Sequence, residues 1–126
     1  MTIIAHRDQA FEDWRAGVKT QMHVSASKGA RQLCIFEQWV APTVGAPTHW
    51  HMVEEVLTVV AGEAEMWIDD ERFILTGDHS LIIPARRKHG FRNIGPDILH
   101  LRAVLASSVF KATFDGSTER VQRWLP

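Results

Sequence analysis

The sequence predicts a mostly β protein of the sandwich or barrel class. From residue 18 onward it consists of short runs rich in β-branched and aromatic residues, which favour strands. The runs are separated by Gly, Pro and Asp, which favour turns. Many short strands with turns between them are typical of sandwiches and barrels rather than of an open parallel sheet. Only residues 7–15 offer a weak helical pattern, with Phe11 and Trp14 three positions apart.

Each strand is predicted from the residues that fill it. Residues 56–60 read V-L-T-V-V and are closed by Gly62, so they and the motif residues before them are assigned to one strand. Asp69 and Asp70 predict a hairpin turn, and Gly95-Pro96-Asp97 predicts another turn. The predicted strands cover residues 18–25, 31–40, 49–60, 63–68, 73–75, 80–83, 90–92 and 99–106.

The final segment, residues 115–126, is charged and rich in turn residues, but it carries Trp124 and Leu125 near its end. These two apolar residues predict that the segment packs against the rest of the protein.

Length and composition limit the class of protein. The chain has 126 residues, 45% of them hydrophobic, with five Trp and six Phe, which suffices for one sizeable core. The net charge of −1 disfavours nucleic-acid binding. No run approaches the about 20 apolar residues of a membrane span. The single cysteine, Cys34, excludes an internal disulfide, and no secretory signal is recognisable, so a cytoplasmic location is predicted.

Three polar side chains with metal-ligand chemistry lie close together in the stretch G-A-P-T-H-W-H-M-V-E-E-V-L-T-V-V-A-G, residues 45–62. Residues two and four apart in a strand point to the same face, so His49, His51 and Glu55 would converge. Zn, Fe, Ni and Mn accept imidazole nitrogen together with carboxylate oxygen. The stretch therefore predicts part of a metal site.

A second stretch, G-D-H-S-L-I-I-P-A-R-R-K-H-G-F-R-N, spans residues 77–93. The two stretches together resemble the paired motifs of the cupin superfamily, G-x5-H-x-H-x3-E-x6-G and G-x6-P-x-G-x2-H-x3-N. The second stretch matches its motif at Gly77, Pro84, His89 and Asn93. It departs at Arg86, where the family has a turn glycine. If that turn keeps a positive φ, a non-glycine residue costs on the order of 1 kcal/mol.

The resemblance implies a double-stranded β-helix, the jelly-roll barrel of a single cupin domain over residues 1–126. It further implies that His49, His51, Glu55 and His89 bind one divalent transition metal (Zn, Fe, Mn or Ni) at the mouth of the barrel. Such a set leaves one or two open positions on the ion for water or a substrate. The alternative is that these polar groups stabilise a barrel that has lost its metal, at a cost in hydrogen-bond satisfaction.

Four further residues are candidates for the pocket. Phe91 lies two residues from His89 and shares its predicted face, so it is either a wall of the pocket or a core residue. Gln38 lies on a strand whose lumen-facing side the sequence leaves open. His100 and Arg102 share a face. If that face is the lumen, Arg102 could bind a carboxylate or phosphate, whereas on the exterior both are ordinary surface residues.

Two functions agree with these residues. The first is a metal-dependent enzyme of dioxygenase, isomerase or lyase type that acts on a small organic molecule in the lumen. Because tyrosine is absent, proton transfer must come from Glu55, a histidine or metal-bound water, and Glu55 is the candidate catalytic base as well as a ligand. The alternative is a non-catalytic barrel that binds or senses a small ligand or a sugar. A roomy, partly polar lumen would favour the enzyme, and a lumen packed by Phe and Trp would favour the alternative.

A homodimer is also expected from the resemblance. The surplus of Trp and Phe for one small barrel agrees with an apolar interface, to which residues 2–5 could contribute by crossing to the partner.

Overall fold

The computed structural model describes residues 1–126 and places twelve antiparallel strands in two six-stranded sheets. The first sheet has the order β1-β2-β3-β10-β5-β8, and the second has the order β12-β11-β4-β9-β6-β7. Together the sheets form the jelly-roll barrel that the cupin resemblance implies. The strands are β1 (Phe11–Arg15), β2 (Val18–Val24), β3 (Cys34–Val40), β4 (Gly45–Trp50), β5 (Glu55–Ala61), β6 (Glu63–Ile68), β7 (Glu71–Thr76), β8 (His79–Ile83), β9 (His89–Asn93), β10 (Leu99–Leu105), β11 (Phe110–Phe114) and β12 (Arg120–Arg123).

The weak helical prediction for residues 7–15 is wrong. Only a three-residue 3-10 turn, His6–Asp8, occurs there, and it is followed by β1. Phe11 packs edge-on against Trp39, whereas Trp14 packs against Phe36. The two aromatic rings therefore lie on opposite faces of the sheet and do not form one stripe of a helix. The second helical element, Ala26–Lys28, is equally short, and no helix in the structure could span a membrane.

The single strand predicted for residues 49–60 is two strands in the structure. β4 ends at Trp50 in the second sheet, and β5 begins at Glu55 in the first sheet. The chain crosses from one sheet to the other between them. The connection H-M-V-E, residues 51–54, carries this crossing, and the strongly β-branched run begins only at Val56.

The core lies between the two sheets. In β10 burial alternates strictly, with Leu99, Leu101, Ala103 and Leu105 facing inward. Cys34 also faces inward and is fully buried. Burial, and secondarily the charge of the Glu55 carboxylate, raises the pKa of its thiol to about 12, so it is an inert core residue.

The end of the chain returns to this core. The Trp124 ring packs against Trp14, Phe36 and Phe110 at centroid distances between 5.3 and 5.9 Å. Trp124 Nε1 donates a hydrogen bond to Glu12 Oε2 over 2.8 Å. The predicted packing of the final segment is confirmed for Trp124, whereas Leu125 is exposed.

Candidate metal centre

Four buried side chains converge at one end of the barrel. His49 lies in β4, His51 lies in the connection that follows it, Glu55 begins β5, and His89 begins β9. Their exposed fractions range from 1% to 8%, so the group is shielded from bulk water. One nitrogen of each imidazole and one oxygen of the carboxylate all lie within 4.8 Å of one another. The two sheets thus bring together the four residues that the sequence singled out.

The backbone fixes the orientation of all three imidazoles. His49 Nδ1 lies 2.7 Å from the Pro47 carbonyl oxygen, His51 Nδ1 lies 2.6 Å from that of Lys111, and His89 Nδ1 lies 2.9 Å from that of Arg87. A carbonyl oxygen only accepts, so each Nδ1 carries the hydrogen. Each Nε2 is therefore left to face the centre of the cluster with its lone pair when the ring is neutral.

The Nε2 atoms face the carboxylate without hydrogens to donate. His89 Nε2 lies 3.0 Å from Glu55 Oε1, and His51 Nε2 lies 3.5 Å from the same oxygen and has no hydrogen-bond partner. Two acceptors at such distances repel each other unless a cation lies between them. A divalent ion bound at about 2.1 Å would replace these repulsions with bonds, because its donor atoms would then lie about 3 to 4 Å apart. The donor set fits a transition metal.

The electrostatics of the cluster agree with ligand chemistry. Burial, and then the charges of His89 and His51, lowers the pKa of His49 to about 3, so this ring is neutral at pH 7. Burial acts to raise the pKa of the Glu55 carboxyl, but the positive charges that His51 and His89 carry when they are protonated outweigh it and hold that pKa well below its usual range. Burial likewise acts to lower the pKa of His51, and the charge of Glu55 outweighs it, so that pKa is raised. The ionised Glu55 carboxylate thus favours a cation at the centre of the cluster.

A cavity of about 30 Å³ adjoins this cluster and has room for about two water molecules. Among the four predicted ligands, His49 and Glu55 line it. Gln38 and Phe91, which the sequence offered as candidate pocket residues, also line it, and Gln38 Nε2 donates to Thr20 Oγ1 over 3.0 Å. Its remaining lining residues are Trp14, Arg15, Phe36, Ala46, Leu57, Phe110 and Phe114.

Of the two alternatives for His100 and Arg102, the exterior one is correct, and the pocket one is wrong. Both side chains project from the outer face of the first sheet, because the inward positions of β10 are filled by Leu99, Leu101 and Ala103. His100 stacks on Trp39 and contacts the carboxylate of Glu37. Arg102 Nε lies 3.5 Å from the same carboxylate. Both residues thus belong to an exterior network around Glu37.

Two turn positions of the paired motifs carry a residue other than glycine. Counted back from His49, the first glycine of the motif G-x5-H falls at Thr43 and not at Gly45, so the first stretch does not match its motif at that glycine. Thr43 has φ 70°, and Arg86 has φ 68°, which is the left-handed conformation that glycine favours. Gly45 is required for another reason, because a Cβ there would overlap the backbone of Phe91 in β9.

Several cavity residues escaped the sequence analysis. Trp14 and Arg15 belong to the segment with the wrong helical prediction, and Phe110 and Phe114 lie on β11, for which no strand was predicted. An alternation signal exists in F-K-A-T-F, where Phe110, Ala112 and Phe114 share parity. No comparable signal exists for Arg15, whose position depends on an irregular pairing of β1.

Comparison with known proteins gives a consistent result. A family model described as a cupin domain matches residues 36–105. Over 79 residues the chain is 35% identical to a protein named polyketide synthase CurC from Streptomyces cyaneus. That alignment covers 62% of this chain and 49% of the relative, so the match spans about half the length of that protein.

Solved structures share the fold. An RmlC-like cupin from Shewanella frigidimarina superimposes with a TM-score of 0.70 at 24% identity, covering 80% of this chain and 86% of its own. The polyketide cyclase RemF from Streptomyces resistomycificus superimposes with a TM-score of 0.72 at 20% identity, covering 83% of this chain and 78% of its own.

Proposed function

Since this chain belongs to the cupin family, we propose that it is a metal-dependent enzyme that acts on a small organic molecule inside the barrel. One observation carries the proposal. The four donor groups converge within 4.8 Å, and only His49 and Glu55 of the four border the cavity. The residues that would hold the ion are thus reachable from the cavity in which a small molecule would bind.

His49, His51 and His89 would bind the ion through Nε2, and Glu55 through its carboxylate. The ion, one of Zn, Fe, Mn or Ni, would supply Lewis-acid chemistry that polarises a bound oxygen. The carbonyl groups of Pro47, Lys111 and Arg87 would orient the three rings for this role. The additional role of Glu55 as a catalytic base stays a prediction. Its ionised state is required for either role.

Of the three reaction types, we favour the isomerase or lyase type, with ring closure of a polyketide-derived molecule as the specific reaction. The relative is named a polyketide synthase and one structural neighbour a polyketide cyclase. The aromatic walls formed by Phe36, Phe91 and Phe110 suit a flat apolar ligand. In such a ring closure the C–H bond of an enolisable carbon breaks, and that carbon bonds to a carbonyl carbon whose oxygen takes up a proton. Loss of that oxygen as water completes the reaction, which needs no oxidant.

The size of the cavity favours a second candidate function. About 30 Å³ is too little for a polyketide unless side chains move, and dense aromatic packing agrees with a non-catalytic binding barrel. Phe114 borders both this cavity and an external groove of about 470 Å³, so rotation of its ring would connect the two and make room for a larger ligand.

A homodimer and a cytoplasmic location stay predictions. An apolar row across the outer face of the first sheet supports the homodimer. Its members are paired neighbours on four adjacent strands, namely Ile82, Val56, Val104 and Ile35. Ile82 is 62% exposed, which agrees with a surface that a second copy covers. Light scattering should give a dimer mass, and a monomer mass would contradict the proposal.

Turnover decides between the two functions. We expect purified, untagged protein to contain about one equivalent of a transition metal and to cyclise a linear poly-β-ketone, offered both as the free acid and as its N-acetylcysteamine thioester, as followed by mass spectrometry. A chelator should abolish turnover, and the metal should restore it. Metal-dependent binding of either form without turnover would establish the binding barrel instead, and absence of metal uptake would contradict both.

A further inference from the structure

A bulge in β1 turns two consecutive side chains into the barrel. In the pairing of β1 with β2, Asp13 faces Lys19 and Arg15 faces Val18, so one residue on β1 has no partner. Consecutive strand residues normally point to opposite faces. Here Trp14 and Arg15 both line the cavity beside the candidate metal centre. Bulges that redirect a side chain are typical of functional sites.

The Arg15 guanidinium has no anionic partner in the protein. Its Nη1 donates to the Gly45 carbonyl oxygen over 3.1 Å, and it forms no salt bridge. The charged group that acts on it most is another cation, Arg123. Burial first, and then the charge of Arg123, lowers the pKa of Arg15. Arg123 itself lies over the Trp14 ring at 4.1 Å and faces Glu12 at 3.9 Å.

A half-buried cation without a counter-ion carries a desolvation cost that a bound anion would offset. The neighbouring indole presents a second unsatisfied donor, because Trp14 Nε1 is buried and has no hydrogen-bond partner. Seven of the eleven lining residues are hydrophobic. The one carboxylate among the lining residues, Glu55, contacts His51 and His89 and forms no salt bridge with Arg15. The cavity therefore still has no anion that is paired with Arg15.

We propose that Arg15 is the residue that recognises the substrate of this cavity, and that the substrate carries a carboxylate attached to an apolar or aromatic body. The planar guanidinium matches a carboxylate in a two-point contact. A monoanion suits one guanidinium in an apolar cavity better than a doubly charged phosphate does. This inference rests on the proposed function only in placing the reacting part of the substrate at the metal.

The test uses two carboxylates and their neutral amides as probes. Binding of acetate, benzoate, acetamide and benzamide is measured by NMR titration of the full chain, both metal-loaded and metal-free. The variants are R15Q, R15K and the matched control R31Q, which removes an exposed arginine outside the cavity. Benzoate is larger than the cavity of about 30 Å³, so it enters only if the Phe114 ring rotates, as any aromatic substrate would require. We expect R15Q to weaken the binding of both acids at least about tenfold, R15K to retain part of it, and R31Q to match the wild type. Benzamide binding should not respond to R15Q.

The metal-free arm separates the two proposals. A loss of benzoate affinity in metal-free R15Q supports the role of Arg15 even if the protein proves to have no metal-dependent activity. Equal binding of benzoate to wild type and R15Q would overturn the inference. If neither acid binds to the wild type at a concentration of about 10 mM, the inference is also overturned, since a carboxylate site with an arginine partner should have a Kd below that value. If R15Q does not fold, as judged by circular dichroism, R15K is used instead. A weaker preference for benzoate over benzamide than in the wild type supports the inference, and an unchanged preference overturns it.

Discussion

The barrel carries two clusters in which histidines surround one carboxylate, and they differ in what holds the rings. In the inner cluster, backbone carbonyls bind the Nδ1 atoms of the three imidazoles, so that every Nε2 faces Glu55. In the outer cluster, His23 and His100 flank Glu37, but the Arg102 guanidinium lies there as well. The outer carboxylate thus already has a permanent cation.

The comparison teaches that residue composition does not make a metal site. Both clusters offer imidazole and carboxylate, yet only the inner group brings its ligand atoms within 4.8 Å of one another. In the outer cluster His23 Nε2 is engaged by the Gln21 amide oxygen at 2.9 Å, and the His23 ring stacks on His6 at 3.6 Å. The outer cluster therefore fixes the N-terminal segment to the sheet, whereas no arginine or lysine pairs with the inner carboxylate.

The largest expected effect is on metal affinity. His51→Ala removes a donor from the inner cluster and should weaken metal binding by more than about 100-fold, beyond the loss typical of an outer-shell partner. His100→Ala removes an imidazole from the outer cluster and should leave affinity unchanged. Competition titration with a chromogenic chelator measures both variants. Equal affinities of the two variants would contradict the distinction between the clusters.

Metal binding should also stabilise the fold through the inner cluster alone. At a free metal concentration of about 100 times Kd, linkage gives about 2.7 kcal/mol, which corresponds to a rise in Tm of roughly 10 °C for a chain of this size. Differential scanning calorimetry should show this rise for wild type and for His100→Ala, and not for His51→Ala. A comparable rise in His51→Ala would mean that the metal binds elsewhere.

A smaller effect is expected from the outer carboxylate. Glu37→Gln leaves Arg102 and His100 without their anionic partner, and it should lower the free energy of unfolding by about 1–2 kcal/mol. Urea denaturation measures the change, and the metal content should stay at the wild-type value. Glu65→Gln, which breaks the exposed pair with Arg72 at 3.3 Å, is the matched control and should cost less than about 1 kcal/mol.

The sequence predicted that the four inner residues lie together, as they do, and their role as metal ligands stays a prediction. The parity argument for them was only partly valid. His49 and Glu55 lie on strands of different sheets, and His51 lies in the connection between them. Parity holds within a strand and is lost where the chain changes sheets. The motif spacing was the better predictor because it specifies the number of residues across the whole connection between the two strands. That number includes the irregular part, which strand periodicity does not describe.

The remaining errors have a similar cause. His100 and Arg102 share a face, as alternation requires, but alternation does not tell which face is the lumen. Arg15 was missed because a bulge overrides alternation altogether, and the pairing of β1 with β2 that creates it is a long-range property. Sequence patterns thus predict local faces, and tertiary pairing decides where each face points.

The smallest expected effect is a pH dependence of stability that comes from the outer cluster. Burial first, and then the charge of His6, lowers the pKa of His23 from its ordinary value of 6.5; Arg102 and His100 also lower it, and Glu37 raises it. Since the folded pKa lies below the unfolded value, the unfolded chain binds more protons as the pH falls through 6.5, and stability decreases. His23→Gln should therefore lose less stability than wild type between about pH 7.5 and about pH 5.5, as measured by urea denaturation. The exposed His79→Gln should follow the wild type, and a parallel pH profile for His23→Gln would show that the outer cluster does not contribute to the decrease.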